Sequence, residues 1–347
     1  MIGESAAQDA ELHAARFRSS FTDIICLQLE GIYMAKKKGT PRRTEPAPLR
    51  QRTCGAMQQH QFLLETVPSF RANQVALEHA NQARLRSSPV ARVQPYKITI
   101  VVHVVHNPNA PAEKISVAQV NSQIAVLNRD FRAKNPDKSK TPPVFGGLVA
   151  DPMIEFALAT KDPSGHSTTG MTYTETDKSL FADQDNPVKF KKTGGIAAWN
   201  TKKYLNIWVC TLSNSLLGYA QFPAGPTETD GVVILNTAFG TAGSAATPFN
   251  LGRSTTHEIG HYLNLRHIWG DTPDCSGSDF VDDTPNAEDA NFGKPTFPNV
   301  SCNNGPNGDL FMNYMDYTDD DSMFMFTPGQ VSRMHTTLDG PRKSLVN

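Results

Sequence analysis

Three histidines and one glutamate lie within eleven residues of this 347-residue chain, in the order His-Glu-Ile-Gly-His-Tyr-Leu-Asn-Leu-Arg-His. Residues four apart share one face of a helix, so His257 and His261 can direct their imidazoles at one ion, with Glu258 beside it. If the helix ends at Asn264 and the chain turns sharply, His267 can return as a third ligand. Three protein ligands leave a tetrahedral zinc ion one open position for water. The segment therefore predicts a catalytic zinc site.

Glu258 has a defined chemical role beside such an ion. Zinc lowers the pKa of bound water toward about 7, and Glu258 can take its proton as the oxygen attacks a peptide carbonyl. The same carboxylate can then pass the proton to the leaving amine. These residues together predict the hydrolysis of peptide bonds.

The histidine pattern resembles that of the metzincin metalloendopeptidases, HExxHxxGxxH followed by a methionine turn. Asn264 stands where the family pattern has Gly, and Asn tolerates the left-handed backbone better than any other residue except Gly. The wider run, which ends in Ile268-Trp-Gly-Asp271, is similar to the pappalysin family within this clan, in its ulilysin-like bacterial branch. The resemblance implies an endopeptidase that binds a protein or peptide substrate as an extended strand.

Downstream segments extend the resemblance. Met315, in Met-Asn-Tyr-Met-Asp-Tyr, is similar to the methionine under the metzincin zinc site, and Tyr317 to the tyrosine that stabilises the oxyanion. Leu216–Pro223 resembles the edge strand above the family's cleft, although an ordinary hairpin strand is an alternative interpretation. Some relatives favour basic side chains on the primed side of the cleaved bond, and Asp319–Asp321 could supply an acidic pocket for them.

The chain contains five cysteines, an odd number, so at least one has no partner within it. Cys54, in Arg-Thr-Cys-Gly, resembles the pro-segment cysteine of ulilysin-like enzymes, whose thiolate fills the open zinc position and keeps the enzyme latent. An unpaired linker cysteine is the alternative. Cys275 and Cys302 match the spacing of a family disulfide. Cys210 is expected to be a buried free thiol, and Cys26 has no assigned role.

An acidic cluster lies inside the loop that this disulfide would close. Asp279, Asp282, Asp283 and Thr284 resemble the family's calcium-binding region, and clustered carboxylates repel one another unless a cation gathers them. A solvated acidic loop is the alternative interpretation. The resemblance thus implies structural Ca²⁺ in addition to catalytic Zn²⁺.

The elements that must position these residues alternate between strand and helix patterns, which predicts an α/β fold. Strands are predicted at Tyr96–His106, Met153–Ala159, Tyr204–Cys210 and Gly231–Leu235, and helical segments at Gln58–Leu85 (divided by Pro68), Ser116–Lys134, Ile196–Lys203 and Pro328–Leu338. The resemblance implies a metzincin catalytic domain with a twisted mixed sheet, a backing helix and an active-site helix. A loop-rich C-terminal subdomain with the methionine turn and a C-terminal helix would follow.

Composition divides the chain into three regions. Residues 1–53 are expected to be an N-terminal extension and basic linker without stable structure, and residues 54–90 a pro-segment. Residues 91–347 are expected to form the catalytic domain, with its two subdomains divided after His267. Positive side chains outnumber negative ones up to residue 95, and the reverse holds beyond it. Basic residues between positions 84 and 95 offer sites for removal of the pro-segment.

The overall composition excludes several classes of protein. A hydrophobic fraction of 39% is enough for a globular core, and a net charge of -1 argues against a dedicated nucleic-acid binder. No apolar stretch approaches the roughly 18 residues of a membrane span. No clear signal peptide begins the chain, whose true start could be Met34. The family resemblance nevertheless implies a secreted or extracellular enzyme.

Two other interpretations share the zinc-binding histidines. A gluzincin-type peptidase would take a downstream Glu as third ligand, but the only Glu after Glu258 is Glu288, in a loop-rich segment. A non-catalytic, zinc-stabilised binding module would have no need of a base beside the metal, and Glu258 is present.

Overall fold

A six-stranded sheet organises the residues that the computed structural model describes, 51–87 and 92–346. The strands are β1 Tyr96–His106, β2 Ile154–Leu158, β3 Met171–Glu175, β4 Leu205–Cys210, β5 Gly218–Ala220 and β6 Val232–Leu235. Strand β1 pairs with β2 along its first half and with β3 along its second half, and its other edge pairs with β4. Strand β6 follows β4, and all of these pairs are parallel. Strand β5 lies antiparallel to β6 at the edge of the sheet.

Within the described residues, five α-helices surround the sheet. They are α1 Ala56–Thr66, α2 Pro68–Arg86, α3 Val117–Asp130, α4 Arg253–Tyr262 and α5 Pro328–Asp339. Every residue of β4 and β6 is buried, as expected for parallel strands that are covered on both faces. Helix α4 packs against α3, β5 and β6, while α1 packs against β5 and α2 against α5. A short second sheet joins β7 Phe292–Gly293 to β8 Tyr317–Thr318.

Local chemistry explains where the helices begin. Ser116 accepts a hydrogen bond from Gln119 N and so caps α3, and Thr327 forms a reciprocal capping box with Gln330 at the start of α5. Proline occupies the first turn of both α2 and α5, where its missing N–H costs nothing. The predicted helices at Ser116–Lys134 and Pro328–Leu338 are therefore confirmed, as is the division of the N-terminal helical segment at Pro68.

One predicted helix is wrong. Residues 196–203 form an extended segment and a turn instead. The side chain of Asn206 accepts from Trp199 N at 2.7 Å and donates to Trp199 O at 3.1 Å, and Ile196 N donates to Val188 O. These partners replace the hydrogen bonds that a helix would make. Strand β3 was not predicted, whereas the four predicted strands agree with the structure to within one residue at each end.

The chain between residues 270 and 306 contains little regular structure and is stapled by a disulfide. Cys275 and Cys302 form the bond that the resemblance implied, with their Cα atoms 5.3 Å apart and a sequence separation of 27. Closing a loop of this length contributes about 3 kcal/mol in the chain-entropy model. Cys54 and Cys210 are buried free thiols among the described residues.

The remaining predictions concern the N-terminus. Cys26, Met34 and the rest of the predicted extension up to residue 50 lie outside the described residues. Within the part of the chain that the structure describes, no helix is both long and apolar enough to cross a membrane.

Candidate active site

A sharp turn after α4 reverses the chain. Asn264 adopts φ 74°, the left-handed conformation that the sequence predicts for this position. Leu265 N–H donates back to Gly260 O at 3.0 Å, which closes the end of the helix. His267 thereby returns to the face of α4 that carries the other two histidines.

The Nε2 atoms of the three histidines converge on one point. They lie 3.1 Å apart between His257 and His261, 3.2 Å apart between His257 and His267, and 3.0 Å apart between His261 and His267. In a tetrahedral zinc site, with Zn–N distances of roughly 2.0–2.1 Å, two ligand nitrogens lie about 3.3 Å apart. All three side chains are buried. Their spacing therefore fits a single shared zinc ion.

The other nitrogen of each ring fixes the tautomer that a metal needs. Each Nδ1 faces an oxygen: His257 faces Tyr314 O at 2.7 Å, His261 faces Leu265 O at 2.8 Å, and His267 faces the Asp271 carboxylate at 2.5 Å. Because these oxygens accept hydrogen bonds, Nδ1 carries the proton and Nε2 presents its lone pair. Burial, together with the neighbouring imidazoles, holds the pKa of His257 and His261 well below the ordinary range.

Glu258 lies beside the histidines and beneath β5, and it is almost fully buried. A Cβ added to Gly218 of β5 would lie 2.8 Å from Glu258 Cγ, so the glycine leaves room for the carboxylate under the edge strand. Burial raises the pKa of Glu258 to about 8, while a hydrogen bond from the Cys54 thiol and the charge of Arg52 act in the opposite direction. The structure thus places a buried carboxyl group beside the three histidines.

Residues 53–55 pair with the free edge of β5 through an isolated parallel bridge between Cys54 and Gly218, held by two backbone hydrogen bonds of 2.9 and 3.0 Å. This pairing brings Cys54 Sγ to the histidines, and the four possible ligand atoms all lie within 4.8 Å of one another. The thiol donates to Glu258 Oε2 at 3.4 Å. Burial and the charge of Glu258 raise the pKa of Cys54 well above its ordinary value, whereas a thiol that coordinates zinc gives up its proton.

Arg52 anchors the same segment. The sequence interpretation assigned it to an unstructured linker, but its side chain is 1% exposed, so the packed segment begins before residue 54. Its guanidinium pairs with Asp320 Oδ1 at 2.7 Å and also donates to Ser254 Oγ at 3.0 Å and Thr318 O at 3.2 Å. Asp320 accepts in addition from Leu251 N at 2.7 Å. Asp320 is therefore held in place by Leu251 as well as by Arg52. The space beside Asp320 that the Arg52 side chain fills is the Asp320 pocket.

Comparison with known proteins gives the family. The family model described as Pregnancy-associated plasma protein-A matches residues 191–339. An extracellular metalloprotease of Pyricularia oryzae is 31% identical over 291 residues, which cover 81% of this chain and 86% of that protein. The chain belongs to the pappalysin family of metzincins. Like other pappalysins it is a peptide hydrolase that depends on a metal, so the resemblance identified from the sequence is confirmed.

Solved pappalysin structures share the fold. A mutant of Tannerella forsythia promirolysin is 46% identical with a TM-score of 0.78 and covers 85% of this chain and 97% of its own. Mature mirolysin of the same species, in complex with a cleaved peptide, is 49% identical with a TM-score of 0.71 and covers 74% of this chain and 97% of its own. The predicted metzincin α/β fold is thereby confirmed.

In this pappalysin, Met315 packs against helix α4 and Tyr317 packs against the histidine cluster. Met315 is fully buried under α4, where a Cβ added to Gly260 would lie 2.4 Å from Met315 Sδ. The Tyr317 ring packs edge-on against His267, with the ring centroids 4.8 Å apart. Burial, followed by the charges of Cys54 and Glu258, raises the pKa of Tyr317 well above its ordinary value, so its hydroxyl stays protonated and can donate.

We expect the contact between Gly260 and Met315 to appear as an energetic coupling. Gly260→Ala should destabilise the chain by about 1–3 kcal/mol, because the added methyl group must displace a packed thioether. Met315→Ala should cost about 2–5 kcal/mol through the cavity it leaves. The double variant should cost less than the two together, since the shortened side chain makes room for the methyl group. Urea unfolding of the four chains measures this coupling, and simple additivity would contradict the contact.

Only part of the predicted calcium cluster comes together. Asp279 and Thr284 are buried, and Thr284 Oγ1 donates to Asp279 Oδ2 at 2.8 Å. Asp282 is exposed to solvent. Asp283 instead accepts from Gly329 N at 2.7 Å and so caps the first turn of α5. The other carboxylate oxygen, Asp283 Oδ1, is buried and has no hydrogen-bond partner among the described residues, and a calcium ion shared by the four residues stays a prediction.

Sequence reasoning gave no role to two residues that contact the site directly, Arg52 and Asp271. Both stand inside segments that carried the family resemblance. Two features of the sequence could have indicated the pairing of Arg52 with Asp320. They are the positive charge two residues before Cys54 and the three aspartates after the methionine turn. The spacing of four residues between His267 and Asp271 was the signal for the second contact.

Proposed function

We propose that this chain is a zinc-dependent endopeptidase made as a latent zymogen, in which His257, His261 and His267 hold the metal and Glu258 is the base. The observation that carries the proposal is the convergence of three Nε2 atoms beside one buried carboxylate. A metal site that only stabilises a fold has no use for such a base, and here the fourth possible ligand, Cys54, comes from the segment that we propose is removed. A gluzincin arrangement is disfavoured, since Glu288 is exposed and lies in a loop.

The side chains divide the reaction between them. A bound zinc ion lowers the pKa of water toward about 7 and polarises a carbonyl oxygen. Glu258 takes a proton from the attacking water on a carboxylate oxygen as the new C–O bond forms. It then delivers that proton to the amine nitrogen as the C–N bond breaks. The Tyr317 hydroxyl donates a hydrogen bond to the oxygen on which negative charge develops.

Contacts of the N-terminal segment support both substrate binding and latency. The pairing of residues 53–55 with β5 supports an extended substrate strand at that same edge. Cys54 lies beside the histidines, where a fourth zinc ligand would stand. The solved relative promirolysin is, by its name, a proenzyme. The Arg52 guanidinium in the Asp320 pocket supports a preference for lysine or arginine next to the cleaved bond.

The same proposal extends to processing and location. Residues 54–90, together with Arg52, act as the pro-segment, and cleavage between positions 84 and 95 releases a catalytic domain that begins near residue 91. The division of that domain into subdomains after His267 belongs to the proposal. Because the Pyricularia oryzae relative is an extracellular metalloprotease, we propose that this enzyme also acts outside the cell.

Removal of the metal tests the reaction. We expect the processed chain to cleave a denatured protein, 1,10-phenanthroline to abolish that cleavage, and added zinc to restore it. Mass spectrometry of the products should find lysine or arginine enriched beside the cleaved bonds. Cleavage that resists the chelator would reject the metal-dependent mechanism, whereas chelator-sensitive cleavage without that enrichment would reject only the role of the Asp320 pocket.

We further propose that Asp279 and Thr284 contribute oxygen ligands to a structural calcium ion. Calcium in millimolar excess should then stabilise the chain by about 2–3 kcal/mol, the amount expected at roughly 100 times the dissociation constant. Asp279→Ala should abolish this stabilisation, while Asp282→Ala, which removes an exposed carboxylate from the same loop, should retain it. Thermal unfolding with and without calcium measures the effect. A wild-type chain that is indifferent to calcium would reject the site.

A further inference from the structure

The three histidines differ in the oxygen that accepts from Nδ1. Two of them face neutral backbone carbonyls, whereas His267 faces a carboxylate, Asp271 Oδ1, at 2.5 Å. The Asp271 side chain is 24% exposed, and among the described residues His267 is its only hydrogen-bond partner. One histidine of the three therefore has a negative charge behind it.

Orientation of the His267 ring does not depend on that charge. Trp269 stacks on the ring with centroids 4.4 Å apart and an interplanar angle of 6°, and Tyr317 packs against its edge with centroids 4.8 Å apart. These two aromatic contacts already fix the ring plane. What Asp271 adds beyond them is an ionised acceptor, which binds an N–H more strongly than a neutral carbonyl does.

The backbone presents Asp271 to the ring in a conformation that few side chains adopt. Gly270 has φ 71° and Asp271 has φ 58°, both in the left-handed region. Gly270 is also confined, because a Cβ there would lie 2.1 Å from Ser278 N. For a residue other than glycine this conformation costs on the order of 1 kcal/mol, so the surrounding loop must hold it in place.

We propose that Asp271 is a positioning residue that strengthens zinc binding by giving His267 a charged hydrogen-bond partner. The carboxylate raises the basicity of the Nε2 atom that donates to the metal and offsets part of the positive charge that arrives with it. The inference rests on the zinc site proposed above and assigns unequal contributions to its ligands: His267 binds more strongly than the two histidines backed by carbonyl oxygens.

Zinc affinity tests the inference without reference to catalysis. We would titrate the full chain with zinc against a chromophoric chelator and compare Asp271→Asn, Asp271→Ala, Asp271→Glu and Asp274→Asn. Asp271→Asn keeps the size and an acceptor but loses the charge, and it should bind zinc about 10-fold more weakly. Asp271→Ala should lose up to about 100-fold. Asp271→Glu should recover part of the loss. Asp274→Asn removes a nearby exposed carboxylate that accepts from Ser276 N at 2.7 Å, and it should bind zinc like the wild type.

Each outcome separates one explanation from another. Equal affinity of wild type and Asp271→Asn would overturn the inference, as would an equal loss in Asp274→Asn, which would indicate a general effect of loop charge. A wild-type chain that binds no zinc would overturn the proposed metal site itself. Urea unfolding of the zinc-free chains serves as the folding control. Affinity that falls in parallel with stability, in Asp271→Glu as well as in Asp271→Asn, would count against a charge effect.

Discussion

Replacing Glu258 by Gln should reduce cleavage of a protein substrate by about 10²–10⁴-fold, because a positioned general base typically contributes a rate factor of that size. Gln has nearly the same size and fits the same space under Gly218, but its amide cannot accept the proton of the attacking water. Zinc binding should persist, since the three histidines are unchanged. The comparison is best made in a Cys54→Ala chain, so that latency does not hide the effect.

Glu288→Gln is the matched control for this experiment. Glu288 is the only other glutamate beyond the histidine segment and is exposed on a loop, so the substitution should leave activity and zinc content unchanged. Loss of zinc in that variant would instead support a gluzincin arrangement. Full activity of the Glu258→Gln chain would reject the proposed base.

The second large effect is expected at Cys54. Cys54→Ala should make the unprocessed chain hydrolyse substrate, because it removes the thiolate, a strong zinc ligand that competes with water for the fourth position. Activation should be incomplete, since Arg52 and the pairing with β5 still hold the segment over the site. Breaking a buried ion pair typically costs about 3–5 kcal/mol, so adding Arg52→Ala should increase activity further.

Initial rates must be read while the chain is still intact by mass, since an active enzyme can remove its own segment. Cys210→Ala is the control: it removes the other buried free thiol among the described residues and lies in β4, away from the histidines. That variant should remain latent. A Cys54→Ala chain that is as inactive as the wild type would reject the cysteine as the cause of latency.

The convergence of the three histidines was predictable because metal binding imposes short spacings along the chain. His257, His261 and the return of His267 through Asn264 are encoded within eleven residues, and the left-handed turn follows from the residue type at one position. The central strands could also be predicted from the sequence, because β4 and β6 are buried on both faces and consist almost entirely of apolar residues.

Contacts between distant positions could not be derived in this way. Arg52 and Asp320 are 268 positions apart, and the charges in the two segments show that a pairing is possible without specifying which aspartate Arg52 contacts. Asp279 and Asp283 belong to one acidic run, but burial and a helix terminus assign them different partners. The helix predicted at 196–203 failed for a similar reason, because Asn206 supplies the competing hydrogen bonds from outside the segment.

Helix α4 has no face toward solvent: all ten of its residues are buried. Most helices tolerate substitution along their exposed side, and α4 lacks such a side. Sequence variation in α4 is therefore restricted by two requirements, the chemistry of the proposed metal site and close packing on every side of the helix. In a saturation library over residues 253–262, we expect most substitutions to be lost even at positions that do not contact the metal. The family pattern in this segment therefore reflects the packing of the helix as well as its histidines.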